Sequence, residues 1–225
     1  MVTREVLLYG ASVNFEKGTV YGLSARNGSG KTTLLRTISG LRSESIGTIS
    51  IQEENQALSL SESKRRLFYY ETVDWFDLNL SGWDYLQFIQ STWKKPSHIS
   101  IDEIITFWDM SSYIKLPIKK YSLGMKQKVL LSMYGVSGAS YWLLDEPTIG
   151  LDTNSLEKFE LFILEAKTNG ICVLFSSHQN DSIYATCDYI YEINGQALNL
   201  INKKRGGLRS ELLYLSIKKD IQKSW

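Results

Sequence analysis

The chain has few cysteines, few prolines and no long apolar run. Its two cysteines, Cys172 and Cys187, stand in contexts without metal-ligand spacing, so we expect buried, reduced thiols and neither a disulfide framework nor a zinc site. Three prolines in 225 residues exclude a proline-rich linker, and no low-complexity tract or internal repeat is present.

An excess of charge of either sign is also missing. Lys plus Arg number 25 and Asp plus Glu 24, which gives a net charge of +1. A chain this balanced has no overall field that attracts DNA, RNA or an anionic membrane, so we expect no nucleic-acid partner. The longest charge-free run, residues 129–144, is too short and too polar to cross a bilayer. The N-terminus, with Arg4 and Glu5, does not resemble a signal peptide, and the sequence therefore predicts a cytoplasmic protein.

Short β-branched and aromatic runs alternate with helical patterns, which predicts an α/β fold. Several of the runs are apolar throughout, as is typical of a parallel sheet covered by helices on both faces. Helices are predicted over Lys31–Ser39 and Ser155–Lys167. The predicted strands are Ser12–Phe15, Thr19–Ser24, Thr48–Gln52, Leu67–Glu71, Tyr141–Asp145, Ile171–Ser176 and Tyr189–Ile193.

Residues 72–126 differ from the rest because they contain no convincing strand. Capping-box patterns begin at Ser81 and Ser100, and four of the six tryptophans are found here. We predict one domain over residues 1–225, in which this stretch is a helical lobe inserted into an α/β core of residues 1–71 and 127–202. Residues 203–225 would be a basic C-terminal extension. The lobe's tryptophans either form its own core or present a contact surface to a partner: Trp75, Trp83, Trp93 and Trp108.

A glycine-rich loop lies between a predicted strand and a predicted helix. Gly28 and Gly30 let backbone N–H groups approach phosphate oxygens closely, Lys31 supplies a charge, and Thr32 supplies a hydroxyl ligand for Mg²⁺. The spacing predicts a nucleotide site; the alternative is a glycine turn with a solvated lysine. Ala25 stands where the full pattern has glycine, so a left-handed backbone there would strain or reshape the loop.

Two carboxylates follow the apolar run at residues 141–144. Asp145 is predicted to hold Mg²⁺ through water, and Glu146 is predicted to orient an attacking water as a general base. Alone, the pair fits a turn equally well. The phosphate loop upstream favours the catalytic interpretation.

These residues and four further markers, all in the expected order, resemble the ATP-binding cassette (ABC) ATPases. Residues 121–127, YSLGMKQ, resemble the family's signature segment, and residues 148–152 resemble its D-loop. His178 follows an apolar strand as the family's switch histidine does, and Glu71 stands at the Q-loop position. The resemblance covers about residues 6–200.

The resemblance implies an α/β fold with a P-loop NTPase core, a mainly parallel sheet, a small antiparallel part and an inserted α-helical lobe. It implies ATP hydrolysis with catalytic Glu146, His178 and Lys31, and with Mg²⁺ held by Thr32, Asp145 and Glu71. The triphosphate of ATP would be bound by Ala25, Arg26, Asn27, Gly28, Ser29, Gly30, Lys31, Thr32 and Thr33.

The resemblance also implies partners. Ser122 and Gly124 would complete the ATP site of an opposing cassette, identical or different, so that the cassettes dimerise around ATP. A separate membrane-embedded permease would hold the protein on the inner face of the cell membrane, with the tryptophan-containing lobe as the contact. The signature and Glu71 together resemble bacterial export-type systems.

Several positions depart from the commoner family pattern. Leu123 replaces glycine, Arg26 replaces proline, and Glu71 replaces glutamine. No aromatic residue stands near Val2–Thr3, where the adenine-stacking side chain is expected, so Tyr9 or a partner chain would supply that surface. Two alternatives stay open: a catalytically weak regulatory cassette of an asymmetric pair, and a soluble ABC ATPase that acts outside transport.

Overall fold

The computed structural model describes residues 7–26, 28–43, 47–53, 56–93, 96–177 and 182–203. The helices are α1 Lys31–Ile38, α2 Leu60–Arg66, α3 Gly82–Trp93, α4 Ile101–Phe107, α5 Leu123–Val136 and α6 Thr153–Thr168. The strands are β1 Val20–Ser24, β2 Gln52–Glu53, β3 Gln56–Ala57, β4 Leu67–Tyr69, β5 Tyr141–Leu144, β6 Cys172–Ser177, β7 Tyr189–Asn194 and β8 Ala197–Lys203.

Six strands form one sheet in the order β4-β5-β6-β1-β7-β8. Every neighbouring pair from β4 to β7 is parallel, and β7 pairs with β8 in the antiparallel sense. Strands β2 and β3 form a separate antiparallel pair. The predicted mainly parallel sheet with a small antiparallel part is therefore confirmed.

The parallel arrangement gathers the predicted site at one edge of the sheet. Strand β1 leads into the phosphate loop, β5 into the two carboxylates, and β4 into Glu71. The carboxyl ends of parallel strands meet at a common edge, and ligands of open α/β sheets bind in the crevice outside that edge. Local sequence places each residue at a strand end, and the parallel strand order then brings these ends to one edge of the sheet.

Two of the predicted strands are wrong. Residues 12–15 lie outside any strand, and of Thr48–Gln52 only Gln52 belongs to one. The aromatic ring of Phe15 instead packs edge-on against Tyr21, with 4.8 Å between ring centroids. An irregular segment that covers the sheet with one aromatic side chain thus gave the same local pattern as a strand.

Three elements were not predicted from the sequence, namely α2, β3 and β8. Strand β8 is the antiparallel edge strand, and its pairing with β7 cannot be read from its own residues. Helix α2 carries a capping box at Ser59 and Glu62, in which the Glu62 N–H donates to Ser59 Oγ over 3.4 Å. The Ser-x-x-Glu spacing of this capping box is visible in the sequence.

Among the described residues of 72–126 the elements are helical and none belongs to a strand of either sheet, as the predicted lobe requires, while the bounds of the lobe stay a prediction. Both predicted capping boxes form, since the backbone N–H of Ser81 donates to Asp84 Oδ2 over 2.8 Å and that of Ser100 donates to Glu103 Oε2 over 2.8 Å. The predicted boundary at residues 126 and 127 falls inside α5. One continuous helix therefore connects the lobe with the α/β core.

The tryptophans of the lobe divide into two groups. Trp108 is fully buried and packs edge-on against Phe162 of α6, with 5.8 Å between ring centroids. Trp93 packs against Phe68 of β4. Trp75 is 46% exposed. Trp108 thus belongs to the core that joins lobe and sheet, whereas Trp75 presents its ring to solvent.

Replacement of a buried tryptophan should lower the free energy of unfolding more than replacement of an exposed one. Trp108→Ala should lower the free energy of unfolding by about 3–5 kcal/mol, because it empties a closely packed core position. The matched control Trp75→Ala should cost under about 1 kcal/mol, because its ring already contacts water. Urea unfolding measures both variants, and equal losses would contradict this assignment of the two side chains.

Two further predictions concern the thiols and the membrane. Cys172 and Cys187 are buried and free, as predicted, and burial raises the pKa of Cys172 to about 12. No helix within the described ranges is both long enough and apolar enough to span a bilayer.

Candidate nucleotide site

The phosphate loop ends where α1 begins. Gly28 and Gly30 have φ of +76° and +100°, backbone conformations that favour glycine, so the loop needs glycine at both positions. Gly30 is the N-cap of α1 and supplies no side-chain hydrogen bond, so the N–H groups of the first turn have no side-chain acceptor there. An anion is the natural partner for such groups.

Lys31 is the central cation of the site. Its side chain is only 6% exposed, its Nζ donates to the carbonyl of Ala25 over 3.1 Å, and it lies 3.5 Å from Glu146 Oε1. A cleft of about 520 Å³ is lined by Gly28, Ser29, Gly30, Lys31, Thr32, Thr33 and Glu146.

The cleft suits a phosphate ligand in size and in chemistry. Small-molecule sites usually enclose about 300–1,000 Å³. The hydroxyl of Ser29 is buried and has no hydrogen-bond partner within the described part of the chain. Buried polar atoms are nearly always satisfied, so this hydroxyl is a candidate donor to a bound phosphate.

The prediction that Ala25 strains the phosphate loop is wrong. Among the described non-glycine residues, only Asp109 and Glu146 have a positive φ. Ala25 is 1% exposed, and its carbonyl accepts the hydrogen bond from Lys31. A methyl side chain is therefore compatible with the loop as it stands.

Asp145 follows β5 and lies against the start of α1. Thr32 Oγ1 donates to its Oδ2 over 2.5 Å, and Ser176 Oγ donates to its Oδ1. Burial raises the pKa of Asp145, and these hydrogen bonds oppose that effect. A hydroxyl beside a partly desolvated carboxylate is a hard oxygen donor set that fits Mg²⁺, since a bound cation would offset the cost of burying the charge.

Glu146 is the acid on the wall of the cleft. Its φ is +46°, and its backbone N–H donates to Ser176 Oγ over 2.9 Å. The structure thus places Lys31, Thr32 and Glu146 on the wall of one cleft, and a hydrogen bond joins Asp145 to Thr32. Two other predicted residues, Asn27 and His178, lie outside the described residues.

Glu71 is held away from solvent by two neighbours. Arg36 of α1 donates to both of its carboxylate oxygens, and the Tyr69 hydroxyl donates to Oε2 over 3.0 Å. The Arg36 guanidinium is the main cause that lowers the pKa of Glu71. The metal-binding role of Glu71 stays a prediction, and it requires the carboxylate to leave Arg36.

Arg36→Ala should lower the free energy of unfolding at neutral pH, and its difference from the wild type should shrink on acidification. The ion pair stabilises the fold above the ordinary pKa of glutamate, about 4.3, and the stabilisation is lost as pH falls through the lowered pKa. Arg36 is 46% exposed, so solvent keeps the effect small. Urea unfolding at several pH values, with Arg42→Ala as control, measures it; a difference that grows in acid would contradict the sign.

Ser122 and Gly124 lie at the start of α5 and do not line the cleft. Ser122 is the N-cap, and its Oγ accepts from the Met125 N–H over 3.2 Å. A Cβ on Gly124 would lie 2.6 Å from the carbonyl oxygen of Gly150. Glycine is therefore required by close contact between the predicted signature segment and the predicted D-loop of the same chain.

The stacking surface for an adenine base, which Tyr9 or a partner chain would supply, stays a prediction. The side chain of Tyr9 is 81% exposed, and its backbone N–H donates to Gln196 O over 2.8 Å. Leu7, rather than Tyr9, lies against the phosphate loop, where its Cδ1 would be 2.0 Å from a Cβ on Gly30. Val2 and Thr3, near which the adenine-stacking aromatic residue is expected and missing, lie outside the described residues.

Comparison with known proteins agrees with this geometry. The sequence model of the ABC transporter family matches residues 8–149, more than half of the chain. The chain is 32% identical to the ABC transporter ATP-binding protein NatA of Bacillus subtilis, over 81% of this chain and 76% of that protein.

Two further relatives carry names that refer to export or transport. The chain is 30% identical to the cytochrome c biogenesis ATP-binding export protein CcmA of Reclinomonas americana, over 89% of this chain and 90% of that protein. It is 28% identical to the lantibiotic transport ATP-binding protein SrtF of Streptococcus pyogenes, over 83% and 80%. A solved structure of an ATP-binding subunit of an ABC transporter shares the fold, with a TM-score of 0.75 and 20% identity, over 95% of this chain and 90% of that one.

Proposed function

This chain belongs to the ABC transporter family as an ATP-binding subunit, and we propose that it hydrolyses ATP to drive a separate membrane permease. The observation that carries the proposal is the single cleft in which Lys31 and Glu146 lie 3.5 Å apart beside the pair of Thr32 and Asp145. A cation, a metal-binding pair and a candidate base within one cleft are the groups that phosphoryl transfer to water requires.

Each of the four residues has a role in the proposed reaction. Lys31 binds the β- and γ-phosphates, which means that its Nζ exchanges a carboxylate neighbour for phosphate oxygens when ATP enters. Thr32 and Asp145 would hold Mg²⁺, and the ion would supply positive charge beside the transferred phosphoryl group. Glu146 accepts the proton of the water that attacks the γ-phosphorus, while the bond to the ADP oxygen breaks.

The remaining loop residues bind the triphosphate through backbone N–H groups and side-chain donors. We assign to this role Ala25, Arg26, Asn27, Gly28, Ser29, Gly30 and Thr33. His178 is proposed to contact the γ-phosphate, and Glu71 to reach the metal or its water.

Dimerisation around ATP is the second part of the proposal. Ser122 and Gly124 stand at the N-terminus of α5, a helix of 14 residues whose dipole favours an anion. They do not line the cleft of their own chain, which suits contact with the ATP of an opposing cassette. Leu123 and Ile149 nearby are 48% and 47% exposed, so apolar surface is available for that contact.

The helical lobe is the proposed contact with the permease. Exposed large apolar side chains are unusual in number there, and such side chains mark interaction surfaces. This contact would place the protein on the inner face of the cell membrane. The side chains are Trp75, Leu78, Leu80, Phe88 and Leu116.

An export-type system is the proposed context, supported by relatives whose names refer to export and to lantibiotic transport. One observation favours a catalytically weak regulatory cassette instead, namely the engagement of Glu71 by Arg36. The presence of the lysine, the threonine and Glu146 in one cleft, with Asp145 hydrogen-bonded to that threonine, favours an active ATPase.

Co-expression with a multi-spanning membrane protein encoded in a neighbouring reading frame tests the proposal. The wild-type chain should co-purify with that protein and release phosphate from ATP only with Mg²⁺. Phe88→Asp in the lobe should lose co-purification but keep nucleotide binding. Leu41→Asp, at a residue with the same 61% exposure outside the lobe, is the matched control and should retain both. Absence of Mg²⁺-dependent hydrolysis in the wild-type complex would refute the proposed function.

A further inference from the structure

The backbone of Glu146 adopts a conformation that needs support. Its φ of +46° lies in the left-handed region, which residues with a long side chain rarely occupy. Such a conformation persists only where surrounding contacts over-determine it. Because Glu146 carries the proposed general base, the contacts that hold its backbone also determine where its carboxylate lies.

Ser176 supports the N-terminal side of this residue. It belongs to β6, is 0% exposed, and its Oγ accepts the Glu146 N–H over 2.9 Å. The same hydroxyl donates to Asp145 Oδ1. A hydroxyl has one donor and two acceptor sites, so both bonds can exist together. One buried side chain thus contacts both neighbouring acids.

Gln127 supports the C-terminal side. Its side chain is 5% exposed, and its Nε2 donates to the carbonyl of Pro147 over 2.8 Å. Pro147 directly follows Glu146, so the amide holds the Pro147–Thr148 peptide group, which is the second one after the Glu146 Cα. Gln127 belongs to α5, the helix that begins at the Ser122 N-cap.

We propose that Ser176 and Gln127 are positioning residues that hold the Glu146 backbone left-handed and so keep its carboxylate on the wall of the cleft. This inference rests on the proposed hydrolysis. Loss of either contact lets the backbone relax to an ordinary conformation and turns the carboxylate away from the attacking water. Displacement of a reacting group by about 1 Å can cost about 100-fold in rate.

Three variants test the inference. In Ser176→Ala and Gln127→Met the hydrogen bonds are lost, and kcat for ATP hydrolysis should fall about 10- to 100-fold while ATP affinity stays within about twofold. Ser176→Thr keeps the hydroxyl and should recover most of the rate. The control Ser132→Ala removes a fully buried hydroxyl that donates to Lys128 O within α5, and it should leave kcat unchanged.

Gln127→Met made in Glu146→Gln protein distinguishes a positioning role from general structural damage. In Glu146→Gln, Gln127→Met should cause no further loss in single-turnover hydrolysis, because the group that it positions is already gone. An equal loss in both backgrounds, or a kcat within about twofold of the wild type for both single variants, overturns the inference. If Ser176→Ala does not fold, Gln127→Met decides. A wild type that does not hydrolyse ATP refutes the proposed function instead.

Discussion

Glu146→Gln is expected to stop steady-state hydrolysis of ATP while ATP binding survives. Glutamine preserves the size of the side chain and the backbone contacts with Ser176, but it cannot accept a proton from the attacking water. General-base catalysis contributes about 10²- to 10⁴-fold, and we expect a loss of that size in kcat. The Lys31 neighbour at 3.5 Å is retained through the amide oxygen, so the cleft keeps its shape.

Phosphate release and equilibrium ATP binding measure the two halves of this expectation. Size-exclusion chromatography with ATP should show a trapped dimer, since bound ATP is no longer consumed. Glu157→Gln, at an exposed position of α6, is the matched control and should hydrolyse at the wild-type rate. A Glu146→Gln protein with unchanged turnover would exclude this carboxylate as the base.

Lys31→Ala should greatly lower the affinity for ATP. The lysine is a buried cation, and truncation of one partner in a buried charge pair costs about 2–5 kcal/mol, which corresponds to roughly 30- to 4,000-fold in affinity. The loss is increased by Glu146, whose carboxylate at 3.5 Å would then face phosphate oxygens without an intervening positive charge.

Isothermal titration calorimetry with Mg²⁺ and ATP gives the affinity directly. Lys64→Ala removes an exposed lysine of α2 and should bind as the wild type does. Retained affinity in Lys31→Ala would mean that the glycine loop is an ordinary turn, and the assignment of the cleft would fail with it.

The strand predictions show where sequence patterns were enough. The apolar runs that became β5 and β6 were found to within one residue at each end, because strands buried on both faces must be apolar throughout. The strand prediction for residues 12–15 was wrong because an irregular segment that covers a sheet with an aromatic side chain has the same local pattern as a strand. Edge strand β8 was missed because its identity depends on a partner, β7, and not on its own periodicity.

The sequence by itself determined the family, the phosphate loop and the two acids, because glycine, lysine and carboxylates at fixed spacing follow from requirements that act within a few residues. Only the tertiary structure decided that Ala25 is unstrained, that Arg36 engages Glu71, and that Trp108 is core while Trp75 is surface. It also decided that Ser176 contacts both acids and that Gln127 contacts the neighbouring Pro147. These contacts join residues 20 to 35 positions apart, and their partners are selected by strand order and helix packing, which no local pattern encodes.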